Sequence, residues 1–216
     1  MRRTLLSLAF STLCFANTEV PMYTPLTSAG NPFDQNTHDL FANPWFAQEV
    51  LASKTLTDYQ KQNLKDQPAA FWVDTYSAIS ERTPSLKTLL DSAAQKAASS
   101  GRKQTVMFIH YNLPNRDCAA SASNGEICCS GNSPDQFTGN CDDTSYFSGD
   151  CSKGHARYRQ YTDAIASLLA NYPQLEIVAI VEPDSLPNLA TNLGQKPHCT
   201  ETTKKGYIDG VVYAVS

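Results

Sequence analysis

The sequence lacks any cluster of basic residues, because no run of lysine and arginine is longer than two residues. The 216 residues carry a formal net charge of −4, and the pI is near 5.5. Proteins that bind nucleic acid or anionic membranes usually concentrate positive charge on one surface. The composition therefore argues against a nucleic-acid partner and against a membrane partner.

Long apolar runs are missing too. The longest covers Leu5–Phe15, follows Arg2 and Arg3, and ends at the small residue Ala16. It is too short to cross a bilayer, which needs about 20 apolar residues. The pattern predicts a cleaved secretory signal peptide at residues 1–16 and hence an extracellular protein.

Several common catalytic motifs are also absent. There is no G-x-S-x-G nucleophile turn, no H-E-x-x-H zinc motif and no phosphate-binding glycine loop. These absences argue against a serine hydrolase of that type, a zinc protease and a nucleotide-dependent enzyme. No cofactor and no metal is predicted.

Cysteine is present in a number that predicts disulfides. Loss of the signal peptide removes Cys14 and leaves six cysteines: Cys118, Cys128, Cys129, Cys141, Cys151 and Cys199. In an oxidising compartment these predict three disulfides. The alternative is zinc held by the cysteines of residues 128–151 and His155, although adjacent cysteines are poor tetrahedral ligands. A bond between Cys128 and Cys129 would be strained, which leaves two pairing patterns open within this group.

Short apolar runs alternate with amphipathic segments along the chain. Strands are predicted at residues 69–76, 105–111 and 175–181, the last two buried on both faces. Helices are predicted over residues 45–65, 83–101 with Thr83 as cap, 155–172, and from Thr200 with an apolar face of Ile208, Val211, Val212 and Val215. This alternation predicts parallel β/α units in a barrel or an open sheet.

Polar residues follow each predicted strand, where parallel α/β folds build their active sites. Asp117 and Asp184 follow neighbouring strands, and like charges that approach closely keep one carboxyl protonated, ready to act as an acid. Arg116 could stabilise the other carboxyl, or Arg116 and Asp117 could form only a surface ion pair. Glu182 and Asp184 lie on the same side of an extended chain, so either could be catalytic and the other structural.

Aromatic residues accompany these acids. Trp72 and Tyr111 lie at strand ends, and Asp74 alternates with Trp72 on the same strand end. Aromatic faces beside carboxylates suit sugar rings, although a single aromatic residue more often fills a core. His110, on a buried strand, is predicted to be a core or lining residue and not a base.

Six segments together resemble family 6 of the glycoside hydrolases, the cellobiohydrolases and endoglucanases that cut β-1,4-glucan. They are GNPF (30–33), PWFAQEV (44–50), FWVDT (71–75), YNLPNRDCAASASNGE (111–126), YTDAIASLL (161–169) and VEPDSLPNLATNLG (181–194). The resemblance implies an α/β fold: an incomplete distorted (β/α) barrel with parallel strands, truncated after the third strand. The implied domains are a lead-in at 17–44 and a partial catalytic domain at 45–216, with a Cys-rich loop insertion at 127–154.

The resemblance also implies roles for individual residues in a secreted, monomeric glycosidase that inverts configuration. Asp184 would be the general acid, and Asp117 would keep Asp184 protonated and help to stabilise the transition state. The other implied roles are a sugar platform (Tyr111), a water-binding residue (Ser123), sugar-binding residues (Trp72, Asp74), a supporting cation (Arg116) and a disulfide (Cys118, Cys199).

The sequence departs from the family pattern in three respects. Asn112 replaces the usual aspartate, which is expected to change a hydrogen bond more than the chemistry. The loop insertion lies in the region that covers the cleft. The later strands and the carboxylate proposed as the base are not in these residues, so the alternative is a non-catalytic secreted glycan-binding or interaction protein.

Overall fold

A central strand, β3 (Lys103–His110), organises the sheet in the computed structural model. Three further strands are parallel to it: β1 (His38–Leu40), β2 (Phe71–Val73) and β4 (Glu176–Val181). Strand β4 pairs with β3 along one edge, from Thr105 to His110. On the other side of β3, strand β1 pairs with its first residues and strand β2 pairs with its last residues. Among the described residues the sheet is therefore open, with β3 inside it.

The structure describes residues 31–120, 123, 125–129, 150–195 and 199–216. The predicted signal peptide, residues 17–30 of the lead-in and residues 130–149 of the loop insertion lie outside the described residues. From Asn31 onward the chain belongs to one compact unit. No described helix is long and apolar enough to span a membrane.

Seven helices occur in the described residues. They are α1 (Pro44–Ala52), α2 (Asp58–Leu64), α3 (Ser77–Ser80), α4 (Leu86–Ser100), α5 (Ser152–Leu169), α6 (Ser185–Asn192) and α7 (Glu201–Val215). Their apolar faces and the sheet enclose a core that includes Phe108, Leu89, Leu90 and Tyr161. The α/β class and the parallel strands predicted from the sequence are confirmed, and the sheet is not closed.

The strand predictions need two corrections. Strand β1 lies within the segment predicted as an extended lead-in, so β4 is the fourth strand and not the third. Strand β4 was predicted to be buried on both faces, but its side chains are half-buried or exposed, including Ile180. The reason is that β4 pairs only with β3 among the described residues.

Side-chain caps explain where two helices differ from prediction. The single helix expected over residues 45–65 is two helices, because Thr57 and Gln60 form a capping box that starts α2. The predicted cap at Thr83 is replaced by Ser85, whose hydroxyl accepts the N–H of Thr88. Gly101 ends α4 as expected, in the left-handed conformation at φ 66°.

Helix α7 does not bury the apolar face that the sequence predicts. Its buried residues are Thr203, Gly206, Tyr207 and Gly210, whereas Ile208, Val212 and Val215 are exposed. A Cβ at position 206 would lie 2.9 Å from the Cys151 sulfur, and one at position 210 would collide with Leu113. The small residues therefore face the molecule because close approach requires them.

Candidate active site

The carboxyl ends of β2, β3 and β4 lie side by side at one end of the sheet. We call this region the rim (residues 72–74, 111–117 and 182–188). Backbone bonds join the three strand ends: the Tyr111 N–H donates to the Val73 carbonyl at 3.1 Å, and the Glu182 N–H donates to the His110 carbonyl at 2.9 Å. Every acid singled out in the sequence lies in the rim, at the end of the sheet where active sites of parallel α/β folds form.

Arg116 crosslinks the rim from inside. Its Nη1 donates to the carbonyls of Asp74 at 2.7 Å and Tyr111 at 2.6 Å, and its Nε donates to the Ser123 carbonyl at 3.3 Å. The guanidinium also lies 4.9 Å from the centre of the Tyr111 ring. Arg116 is only 8% exposed and Asp117 only 7%, so the proposed surface ion pair between them is wrong. Arg116 supports the rim mainly through backbone carbonyls.

Asp117 is held by groups from two sides. The Tyr111 hydroxyl donates to its Oδ1 at 2.6 Å, and the Asn188 amide on α6 donates to the same oxygen at 3.4 Å. Burial, followed by the bond to Asp117, raises the pKa of Tyr111 well above its usual range. Tyr111 is therefore a neutral hydroxyl near neutral pH, and it donates its hydrogen bond to Asp117 Oδ1.

The two acids after β4 have opposite environments. Glu182 is 3% exposed, and its carboxylate accepts hydrogen bonds from several buried groups, whereas Asp184 is exposed at the start of α6. The prediction that both lie on one side of an extended chain is wrong, because Glu182 is left-handed at φ 47° and the chain turns into a helix. Only Asp184 is free to contact a substrate.

Trp72 lies beside this group of side chains and is 43% exposed. Its ring packs edge-on against Tyr111, with 5.3 Å between ring centres. Asp74 is half-buried, and its Oδ1 accepts from Arg82 Nη2 at 3.1 Å. The rim thus presents an open aromatic face next to carboxylates, a combination that fits a sugar ring.

Ser123 and His110 lie at different depths. Ser123 is exposed, and its hydroxyl donates to the Ala120 carbonyl at 3.3 Å. His110 is buried between the rings of Tyr158 and Tyr161, and its Nε2 is 3.2 Å from the Thr162 hydroxyl. His110 is therefore a core residue, as predicted.

Asn112, the departure from the family pattern, lies between two carboxylates. Its backbone N–H donates to Glu182 Oε1 at 2.9 Å, and its side-chain amide donates to Glu126 Oε1 at 3.0 Å. The Tyr76 N–H donates to the same Glu126 oxygen at 2.5 Å. Burial raises the pKa of Glu126 above its ordinary value, and these two donors oppose that rise. The amide of Asn112 therefore stabilises a buried carboxylate.

We expect Asn112→Asp to make folding stability depend on pH. The new carboxyl would lie about 3 Å from Glu126, and such a pair shares one proton, which raises its pKa. Above about pH 5 the unfolded chain has released both protons, whereas the folded pair retains one. The free energy of unfolding should therefore fall as the pH rises, by about 1.4 kcal/mol for each unit by which the pair's pKa is raised. Thermal unfolding between pH 4 and pH 9 measures this.

The matched control for this change is the double variant Asn112→Asp with Glu126→Gln. It exchanges the amide and the carboxyl between the two positions and so restores an amide–carboxyl pair. Its pH profile should return to that of the unmodified chain. A profile for Asn112→Asp alone that parallels the unmodified chain would contradict the assigned contact.

The cysteines in the described residues form disulfides, as the sequence predicts for an oxidising compartment. Cys118 bonds to Cys199, as the resemblance implies, and Cys129 bonds to Cys151. Cys128 is disulfide-bonded as well, and Cys141, whose partner the sequence leaves open, lies outside the described residues. The zinc alternative is wrong for these oxidised cysteines, and no metal-binding group of three or more ligands occurs in the described part of the chain.

Two polar residues that contact the predicted site residues, Glu126 and Asn188, are not singled out by the sequence, and the contacts of Glu182 are not predicted by it. Asn188 lies four positions after Asp184, about one helical turn, and this spacing could have identified it. The partners of Glu126 and Glu182 come from distant parts of the chain, and no local pattern reveals them.

Comparison with known proteins identifies the family. The model of glycosyl hydrolases family 6 matches residues 34–216. A protein of Aspergillus terreus named "Probable 1,4-beta-D-glucan cellobiohydrolase C" is 34% identical over 200 residues, which are 88% of this chain and 36% of that protein.

Two solved structures agree with the family model. The CcCel6A catalytic domain complexed with p-nitrophenyl beta-D-cellotrioside is 33% identical with a TM-score of 0.65, covering 87% of this chain and 46% of that one. The catalytic domain of Cellulomonas fimi Cel6B is 31% identical with a TM-score of 0.65, covering 83% and 38%. The chain spans less than half the length of these relatives. By sequence and by structure, the chain belongs to glycosyl hydrolases family 6.

Proposed function

We propose that this protein hydrolyses β-1,4-glucosidic bonds of cellulose or related β-glucans with inversion of configuration. The observation that carries the proposal is the buried Tyr111–Asp117 pair, which packs against the exposed indole of Trp72 and is bonded by Asn188, one helical turn after the exposed Asp184. Family membership supports the reaction class, and the cellotrioside bound to CcCel6A supports a β-glucan substrate. The disulfides and the leader sequence support secretion, and we propose a monomer.

In the proposed mechanism, Asp184 gives its proton to the glycosidic oxygen while the bond from that oxygen to the anomeric carbon breaks. Asp117 assists this acid, and its carboxylate is fixed by the bond from the Tyr111 hydroxyl. Its negative charge then stabilises the positive charge that develops on the sugar. A water attacks the anomeric carbon from the opposite face, which inverts its configuration, and the proton that this water loses passes to the solvent through a base that is not assigned to these residues.

The neighbouring side chains would hold the sugar and the water. Tyr111 is fixed by its bond to Asp117 and lies beneath the position proposed for the distorted sugar. Trp72 and Asp74 would bind the sugar on the non-reducing side, and the exposed Ser123 would help to hold the attacking water. Arg116 maintains the distance between β2 and β3 through its two carbonyl bonds.

The anomer first released from cellohexaose tests the proposal. Proton NMR should detect the α-anomer before mutarotation with a chimaera in which residues 31–216 replace the matching part of CcCel6A, whereas the 216-residue chain alone is expected to be inactive. The chimaera is needed because the chain covers 46% of that domain. Initial release of the β-anomer would contradict inversion. A chimaera that folds but binds without turnover would favour the glycan-binding alternative.

Trp72→Ala should weaken the binding of cellohexaose about ten-fold, which corresponds to about 1.4 kcal/mol. The reason is that the indole is the exposed aromatic face of the rim, and its loss removes the surface on which a sugar ring stacks. Isothermal titration calorimetry with the 216-residue chain measures the affinity. The control is Tyr59→Ala, which removes an aromatic ring that is 80% exposed on α2. Equal affinities for the two variants would contradict the sugar-binding role of Trp72.

A further inference from the structure

The buried carboxylate of Glu182 joins three elements of the fold. Its Oε1 accepts from the Asn112 backbone N–H at 2.9 Å, just after β3, and from the Tyr158 hydroxyl on α5 at 3.0 Å. Its Oε2 accepts from the Ser185 hydroxyl on α6 at 3.1 Å. His110 Nδ1 lies 3.4 Å from Oε1. Both oxygens are thus engaged by groups that belong to different parts of the chain.

The backbone at Glu182 makes the turn from β4 into α6. Its φ of 47° is in the left-handed region, which residues with a Cβ adopt reluctantly. The backbone is fixed on both sides, because its N–H donates to the His110 carbonyl at 2.9 Å and its carbonyl accepts the Ser185 N–H at 3.3 Å. The contacts of the carboxylate therefore maintain a turn that the backbone alone would not favour.

The turn decides where α6 begins: Asp184 is the residue that caps this helix, and Asn188 lies in its first turn. The Asn188 N–H donates to the Asp184 carbonyl at 3.0 Å, so the two residues move together as the first turn of the helix. The side chain of Asn188 reaches Asp117 across the rim. If the turn relaxed, this first helical turn would move relative to Asp117.

We propose that Glu182 is a positioning residue, whose buried carboxylate fixes the left-handed turn that holds Asp184 beside Asp117. The inference rests on the role of acid proposed above for Asp184. Glu182 does not itself touch a substrate, since its side chain is enclosed by β3, α5 and α6. Its effect is on distance: a misplacement of about 1 Å at a reacting group can cost about 100-fold in rate.

Amide hydrogen exchange in the 216-residue chain tests the inference without any assay of activity. In Glu182→Ala, the amides of Asn112 and Ser185 should exchange at least about ten-fold faster, because each loses a direct or adjacent contact. The amides of Val106 and Phe108 in β3 should be unchanged, which separates a local effect from general unfolding. Glu182→Gln keeps an acceptor oxygen and should restore most of the protection.

The side-chain amide of Asn188 reports on the geometry of the rim. In the unmodified chain, Asp117→Asn should shift the NMR signals of this amide, because its hydrogen-bond partner changes. In the Glu182→Ala background the same substitution should produce less than half of that shift. An undiminished shift, together with unchanged exchange at Ser185, would overturn the inference.

Milder variants guard against a failure of Glu182→Ala to fold. Tyr158→Phe and Ser185→Ala each remove one hydroxyl that donates to Glu182, and each should give a smaller change in the same direction. The matched control is Glu176→Gln, at the opposite end of β4, where the carboxylate pairs with Lys103 at 2.9 Å. A response to Glu176→Gln equal to that of Tyr158→Phe would count against a specific role for Glu182.

Kinetics of the chimaera separate positioning from binding. Glu182→Ala should lower kcat for cellohexaose about 100-fold with KM within about two-fold, and Glu182→Gln should recover most of kcat. A rise in KM with kcat unchanged would contradict positioning of the acid. If the chimaera folds and hydrolyses nothing, the proposed function fails, whereas the exchange measurement still decides whether Glu182 fixes the turn.

Discussion

Asp184→Ala is expected to reduce the hydrolysis of cellohexaose about a thousand-fold. The proposed acid donates the proton without which an alkoxide would have to leave, and removal of a general acid typically costs between 100-fold and 10,000-fold. Asp184 is exposed at the start of α6, next to the Asp117 and Tyr111 pair, so its removal should leave the fold intact. Initial rates for the chimaera with and without the substitution measure the loss.

A substrate with a better leaving group sharpens this experiment. Dinitrophenolate departs without protonation, so an aryl cellobioside of this type should lose far less rate than cellohexaose in the Asp184→Ala variant. Asp163→Ala is the control, since Asp163 is an exposed aspartate on α5 whose partner is the Tyr213 hydroxyl. Equal losses on the two substrates, or full activity on cellohexaose, would remove Asp184 from the role of acid.

Arg116→Met is expected to lower the free energy of unfolding by about 3 to 5 kcal/mol. The substitution keeps the length of the side chain but removes two short bonds from a charged donor, each worth about 1.5 to 3 kcal/mol. The carbonyls of Asp74 and Tyr111 would lose a partner close to the core. The corresponding loss in Tm is about 10 °C for a chain of this size. Denaturant and thermal unfolding measure both quantities.

Arg82→Met provides the comparison, because it removes an arginine from the same region in a different environment. Its guanidinium is 45% exposed and pairs with the side chain of Asp74, and exposed ion pairs contribute about 0 to 1 kcal/mol. A loss below about 1 kcal/mol for Arg116→Met as well would mean that the crosslink between β2 and β3 contributes little.

The parts of the fold that could be predicted from sequence are those encoded by local patterns. Strand β3 has apolar residues on both of its faces, which is typical of a strand buried from two sides. Helix α4 has leucines at helical spacing and ends at Gly101. Strand β1 is only three residues long, so its sequence contains no recognisable strand pattern. It is a strand because it pairs with β3, which is a tertiary contact. The buried face of α7 was misjudged because glycines, and not valines, meet Leu113 and Cys151.

The site was predictable to a similar degree. Acids that follow buried strands identify the rim, and the family motifs single out Asp117 and Asp184. What local sequence does not encode is which acid is enclosed: Glu182 and Asp184 are two residues apart, and only the tertiary contacts of Glu182 distinguish them. Local sequence also does not reveal that Glu126 is enclosed, because its donors Tyr76 and Asn112 follow two different strands, β2 and β3.

Three rim residues other than glycine, Asn115, Asp117 and Glu182, have positive φ angles of 54°, 52° and 47°. Glycine would relieve the backbone at such positions, by roughly 1 kcal/mol or more at each. At position 117, however, glycine would remove the carboxylate that accepts the hydrogen bond of the Tyr111 hydroxyl. Directed evolution for heat resistance alone would therefore tend to erase this carboxylate, and a library for a hardier enzyme should hold position 117 constant while it samples other sites.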